Sequence, residues 1–252
     1  MTDRPLVQMR NISKRFGGVT ALESVDFEAR AGEVMAIVGD NGAGKSTLIK
    51  ILTGVYQSSE GEILLDGTPL EMSSHSDAIA VGIDAVYQTL ALADHLTPAA
   101  NMFLGNELTK SVLGITMLDN ARMKAEAERV LFERLGVRLR NMDAQTDSLS
   151  GGQRQAVAIA RAVYHDDLRV LVMDEPTAAL GPQETARTLN LIKTLRDQGL
   201  AVILISHSLD DVFEVSDRIH VQRRGRAVGS VITADSSVQD VLGLIVGAQE
   251  AA

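Results

Sequence analysis

Two hydrophobic patterns divide this chain. Leu6-Val7-Gln8-Met9-Arg10 and Val25-Asp26-Phe27-Glu28-Ala29 alternate apolar and polar positions on either side of a break at Gly17-Gly18, and residues 61–67 repeat the alternation. Period two with one wet face predicts short antiparallel strands. Elsewhere the runs are apolar apart from Asp84 and Arg169, at residues 34–38, 83–86, 169–173 and 200–205. They are too short for buried helices and are bounded by polar turns, which predicts parallel strands covered on both faces.

Helical spacing fills the intervals. A short helix is predicted over residues 74–81, and Thr97-Pro98 reads as a cap with proline at the first helical position. Met123, Ala127, Val130, Leu131 and Leu135 recur every three or four residues among charged side chains, and Gly136 closes the run. That stripe is core packing. Residues 90–163 are therefore expected to form a mostly helical lobe inserted into an α/β domain. Residues 182–198 read as a further helix between Pro182 and Gly199, and the tail from Ser236 as one short helix with an alanine-rich end. The predicted whole is a single domain over residues 1–252, without internal repeats: a mainly parallel core sheet, an antiparallel β subdomain at the N-terminus and the inserted helical lobe.

Four of the apolar strands end in polar residues: Val38 before Gly39, Tyr87 before Gln88, Met173 before Asp174-Glu175, and Ile205 before Ser206-His207. Ligands of open α/β sheets gather beyond the carboxyl ends of the strands, so the four endings can meet at one site. The first is the most specific. Gly39-Asp40-Asn41-Gly42-Ala43-Gly44-Lys45-Ser46, followed by Thr47, stands between a strand and a helix, the order a phosphate-binding loop requires. Glycines admit unusual dihedrals and bring bare N–H groups close to an anion at a helix start. Lys45 is expected to reach the β- and γ-phosphates and the Ser46 hydroxyl to ligate Mg²⁺. The fold implied is that of a P-loop NTPase.

Composition limits the partners. The 252 residues carry a formal net charge of −9, and the basic clusters, residues 138–140 and 223–226, are short, which makes nucleic acid a poor partner. With no cysteine there is no disulfide framework and no thiolate metal site. The first five residues lack the apolar core of a secretory signal, and no run approaches the roughly eighteen apolar residues of a membrane span. A cytosolic chain is expected. Any membrane role would be borrowed from a partner.

The remaining candidates each carry two readings. Adjacent carboxylates at Asp174-Glu175 suit phosphoryl transfer, one in the Mg²⁺ shell and the other orienting or deprotonating water, or they cap a solvated strand end. His207 is either a γ-phosphate ligand or a structural histidine. Phe16 is either a packing phenylalanine or a platform for adenine. Ser150-Gly151-Gly152-Gln153 is a helix-capping box, yet each glycine in a helical first turn costs about 1 kcal/mol against alanine. Bare backbone there suits the approach of an anion. It lies far in sequence from the phosphate loop, and two copies facing head to tail would let each loop meet the other's helix.

Taken together, the phosphate loop, Gln88, Leu149 to Gln153, Val170 to Glu175 and His207 resemble the nucleotide-binding subunit of ATP-binding cassette (ABC) transporters across residues 5–232. The resemblance implies an ATPase with ATP and Mg²⁺ as cofactors. It implies adenine stacking on Phe16, Mg²⁺ sensing and permease contact at Gln88, and a signature at Ser150 to Gln153 touching ATP on the opposite subunit. It makes Glu175 the catalytic base and His207 the switch histidine. It also implies a homodimer sandwiching two ATP molecules, peripheral to the cytoplasmic face of the inner membrane, with permease subunits and a solute-binding protein as partners. Residues 14–22, 41–48 and 101–105 look similar to importers of ribose- and fructose-type monosaccharides. Those ATPases commonly fuse two cassettes where one stands here, and Gly181 replaces a usual aspartate. The other readings are an exporter ATPase, a soluble ABC ATPase acting as a mechanical switch, and a binding-only regulatory subunit.

Overall fold

The computed structural model describes residues 4–248; the alanine-rich end, from residue 249, lies outside the described residues. Strands β1 (Val7–Phe16) and β2 (Val19–Ala29) form a hairpin turning at Gly17-Gly18, so the two short segments read from the sequence are parts of longer strands. Strand β3 (Val34–Val38) runs through the loop into helix α1 (Lys45–Leu52). Strands β4 (Glu60–Leu65) and β5 (Thr68–Pro69) follow, then helix α2 (His75–Ala80), capped by Ser74, and strand β6 (Ile83–Val86).

Next comes helix α3 (Pro98–Met102), whose first turn is capped by Thr97, a hairpin of β7 (Thr109–Val112) and β8 (Ile115–Leu118), helix α4 (Asn120–Glu133), and helix α5 (Gly151–Val163). The chain returns through β9 (Val170–Asp174), α6 (Pro182–Asp197) and β10 (Ala201–Ile205). Helix α7 (Leu209–Val215), strands β11 (Arg218–Arg223) and β12 (Arg226–Ile232), and helix α8 (Val238–Val246) complete it.

The strands make an antiparallel sheet in the order β2-β1-β4-β5 and a six-stranded sheet in the order β12-β11-β3-β10-β9-β6. The second is parallel except at β12. Its central strands are covered on both sides because successive side chains alternate faces. Leu171, Met173, Val202 and Leu204 join the helical lobe of α3 to α6, while Val170, Val172, Ile203 and Ile205 meet α1 and the antiparallel sheet. Each fully buried branched side chain contributes about 1.5–3 kcal/mol. Truncating Ile203, at 0% exposure in the middle of β10, would cost about 2–5 kcal/mol and loosen the strand that carries His207.

Helix α7, strands β11 and β12 and the β7–β8 hairpin were not read from the sequence. The inserted lobe contains the β7–β8 hairpin, every residue of which is exposed, so it has no buried face to signal. The basic cluster at residues 223–226 is the tight turn between β11 and β12, with Arg224 at φ 48° and Gly225 at φ 79°.

Candidate nucleotide site

The loop after β3 is held against two other strands. A Cβ on Gly39 would stand 1.9 Å from the Gln222 carbonyl oxygen of β11, and one on Gly44 would stand 2.7 Å from Leu22 Cδ2 of β2. Both glycines have positive φ, 148° and 99°, so no other residue fits without moving backbone. Gly44 is the N-cap of α1 and supplies no side-chain cap, which leaves first-turn N–H groups without a capping acceptor, and residues 44–47 line the cavity described below. That is the arrangement of an anion site. The Lys45 ammonium is buried and donates to the Gly39 and Asp40 carbonyls at 2.6 and 3.0 Å. Burial pushes its pKa down, against the opposing charges of Glu175, Asp174 and Asp40.

Asp174 ends β9 and Glu175 follows it. Burial raises the pKa of Asp174, with Lys50 and Lys45 pulling the other way. Glu175 sits at φ 53°, unusual for a residue with a Cβ, and is pinned there by its N–H, which donates to the Ile205 carbonyl at 2.9 Å. Its Oε2 accepts the His207 N–H at 3.3 Å. The His207 ring brings Nε2 to 3.0 Å from Oε1 as a charge contact, yet that buried oxygen accepts no hydrogen bond. Burial raises the Glu175 pKa, and the His207 charge opposes the rise.

These elements enclose a cavity of 340 Å³ lined by residues 41–47, Gln88, Asp174, Glu175, His207, Ile205 and Ala21. Gly39 and Asp40 lie beneath it as acceptors for Lys45. Phe16 lines no part of it. It ends β1 with 44% of its surface exposed and packs edge-on against Tyr56 at 5.3 Å, with Lys14 Nζ 5.1 Å from its ring. A core role for Phe16 is thereby excluded. Ser150 to Gln153 are also apart. They start α5 with a reciprocal capping box and face a different cavity, shared with Glu184.

Three residues near these groups carried no sequence signal strong enough to find them. Gln222 is fully buried with both amide atoms unpartnered, its Nε2 2.8 Å from where a Gly44 Cβ would be. Tyr56 backs Phe16, and Glu184 covers the start of α5.

A glycine-lined strand-to-helix loop with a buried lysine, sharing a cavity with two carboxylates at the end of β9, one strand beyond β10, defines a P-loop nucleotide-binding fold. The ABC transporter family profile matches residues 22–178. The fructose import ATP-binding protein of Rhizobium meliloti is 44% identical over 99% of this chain and 97% of its own length. The ribose import ATP-binding protein of Yersinia pestis is 44% identical over 98% of this chain, which spans 47% of that longer relative. A nucleotide-free ATP-binding cassette from an ABC transporter superposes with a TM-score of 0.80 at 25% identity, covering 95% of this chain and 96% of that one. A dimeric bacterial ABC transporter cassette superposes at 0.73, with 25% identity, over 90% of this chain and 98% of its own. The chain belongs to the ABC transporter family of ATP-binding cassettes.

Proposed function

We propose that this chain binds and hydrolyses ATP as the motor subunit of an importer for a small solute, a monosaccharide of the fructose or ribose type. The observation that carries the ATPase reading is the convergence of Lys45, Ser46, Gln88, Asp174, Glu175 and His207 on one 340 Å³ cavity. The solute class rests on the fructose import relative, matched over 97% of its length.

The residues fit a magnesium nucleotide. Lys45, now occupied by loop carbonyls, can turn to phosphate oxygens without leaving the cavity, and the first turn of α1 lines the same space. Among the described residues no three His, Cys, Asp or Glu side chains converge as a metal cage. A magnesium ion here would share its ligands with phosphate, held by Ser46, Gln88 and Asp174. Held by these residues, such an ion would supply charge neutralisation to the phosphates. Glu175 supplies the base: its carboxylate lines the cavity, and Oε1 is buried with no hydrogen bond to hold it. His207 fixes the carboxylate through its N–H and presents its ring beside it.

Ser150 to Gln153 complete this site only from a second copy, since in one chain they face another cavity. The reading is a homodimer with two ATP molecules at its interface, closing on ATP and opening after hydrolysis. Among the described residues no helix is long and apolar enough to cross a membrane, so transport requires permease subunits, and import a solute-binding protein. The place of action is the cytoplasmic face of the inner membrane. Reconstitution with the co-purifying membrane partner, followed by phosphate release with a panel of sugars, tests this. Stimulation by a monosaccharide is expected. Phosphate release that no monosaccharide stimulates removes the solute assignment, and no ATP turnover at all removes the motor.

A further inference from the structure

We propose that Glu184 competes with nucleotide phosphate from within the chain. Its carboxylate occupies the corner formed by Ser150 and Gly152 at the start of α5, and it must withdraw before two copies close on ATP. The inference rests on the two-copy reading above.

The first turn of α6 lies across the first turn of α5. A Cβ on Gly152 would stand 3.3 Å from Glu184 Cβ and Cγ, and one on Gly151 would stand 2.9 Å from Leu180 Cδ2 and 3.7 Å from Glu184 Oε2. The two glycines that looked too costly for a helix start therefore make room for the incoming turn of α6. The Glu184 carboxylate lies against this turn, and the Ser150 hydroxyl and the Gly152 N–H hold its pKa below the ordinary carboxylate range. The Gly181 N–H, on the N-cap of its own helix, adds to that lowering, as expected for a glutamate at N3. The start of α6 accounts for the Gly181 N–H and leaves the two donors of α5 without a role. Those two donors are the ones the dimer reading offers to the partner's γ-phosphate.

The same place in the fold provides a second seat. A cavity of 420 Å³ beside this corner is lined by Glu184, Arg187, Arg138 and Gln155. Gln155 is 6% exposed, and its Nε2 has no hydrogen-bond partner, so a buried donor waits there for an acceptor. Arg187, one turn along α6, already acts on Glu184 through its charge. Withdrawn from Ser150, the carboxylate has a cation and an unsatisfied amide to meet. The clasp is thus a two-position element that bound phosphate biases toward the withdrawn seat.

The test titrates Mg-ATP into the full chain carrying Glu175→Gln, which slows turnover, and follows its mass by light scattering. Adding Glu184→Gln is expected to lower the ATP concentration for half-dimerisation by about fivefold or more, the margin between a charge-assisted and a neutral hydrogen bond. Glu184→Ala should act in the same direction, and Gln183→Ala, a neighbouring exposed change, should have no effect. Dimerisation that is unchanged or weaker in both Glu184 variants overturns the inference while leaving the dimer. No dimer with or without Glu184 removes the two-copy reading and this inference with it.

Discussion

His207 meets both oxygens of Glu175 differently: its N–H donates to Oε2 at 3.3 Å, and its ring Nε2 stands 3.0 Å from Oε1. The backbone bond fixes the carboxylate whatever the ring does. The ring tunes the oxygen that accepts no hydrogen bond. Removing only the ring separates the two effects.

Glu175 must be ionised to act as base, and burial raises its pKa above 4.5. Turnover should therefore fall as pH drops through that raised value, giving an acid limb above 4.5. In His207→Ala the opposing charge is lost, so the acid limb of kcat/KM should move to higher pH while the backbone bond keeps the carboxylate in place. A limb that stays or moves down in the variant contradicts the assignment.

Phe16 offers an open ring face, braced edge-on by Tyr56. Stacking of a base on such a ring is worth about 1–3 kcal/mol, so Phe16→Ala should weaken ATP binding by about tenfold. Tyr56→Ala, which removes the brace and not the platform, should cost less. Calorimetric titration with ATP checks both, and an unchanged dissociation constant in Phe16→Ala would place adenine elsewhere.

Gln222 is buried behind the phosphate loop with both amide atoms unsatisfied. An unsatisfied buried polar group costs about 1–3 kcal/mol, so Gln222→Met, close in volume, should raise the unfolding free energy by that order. Urea denaturation with an unchanged m-value reads it. A loss of stability would mean that the amide has partners essential to the loop.

His220 is 1% exposed, with Phe27 edge-on at 5.3 Å and Ser230 Oγ 3.2 Å from Nδ1. Burial lowers its pKa from 6.5 to about 4. Between these values the unfolded chain holds a proton that the folded chain refuses, so the contribution is complete above pH 6.5 and is lost as pH falls toward 4. His220→Leu should flatten the fall in stability over that window. An unchanged slope would assign it to other groups.

Fold and site are most legible in the sequence where chemistry and period coincide. The continuous runs leading into Gly39, Gln88, Asp174 and His207 are buried parallel strands, and their polar ends line one cavity, because side chains at the carboxyl ends of neighbouring parallel strands stand side by side. Phe16 stayed ambiguous because exposure is set by tertiary packing, here the position of Tyr56. Strands β11 and β12 escaped notice because their charged residues, Arg218 and Arg226, pair with Glu28, Glu33 and Glu23 on distant strands or their flanks. The cost of the two glycines at α5 was legible, but the group crowding them was not. Glu184 is far from Gly152 in sequence, and only the crossing of two helices brings them together.

The central claim is that Glu175 takes the proton from water attacking a nucleotide held by Lys45. Side-by-side measurement of Mg-ATP affinity and steady-state phosphate release for the parent chain and Glu175→Gln tests it most directly. The account predicts that the variant binds ATP with nearly the parent's affinity and releases phosphate about 10²–10⁴ times more slowly, the usual contribution of a general base. Phosphate release at the parent's rate would contradict it.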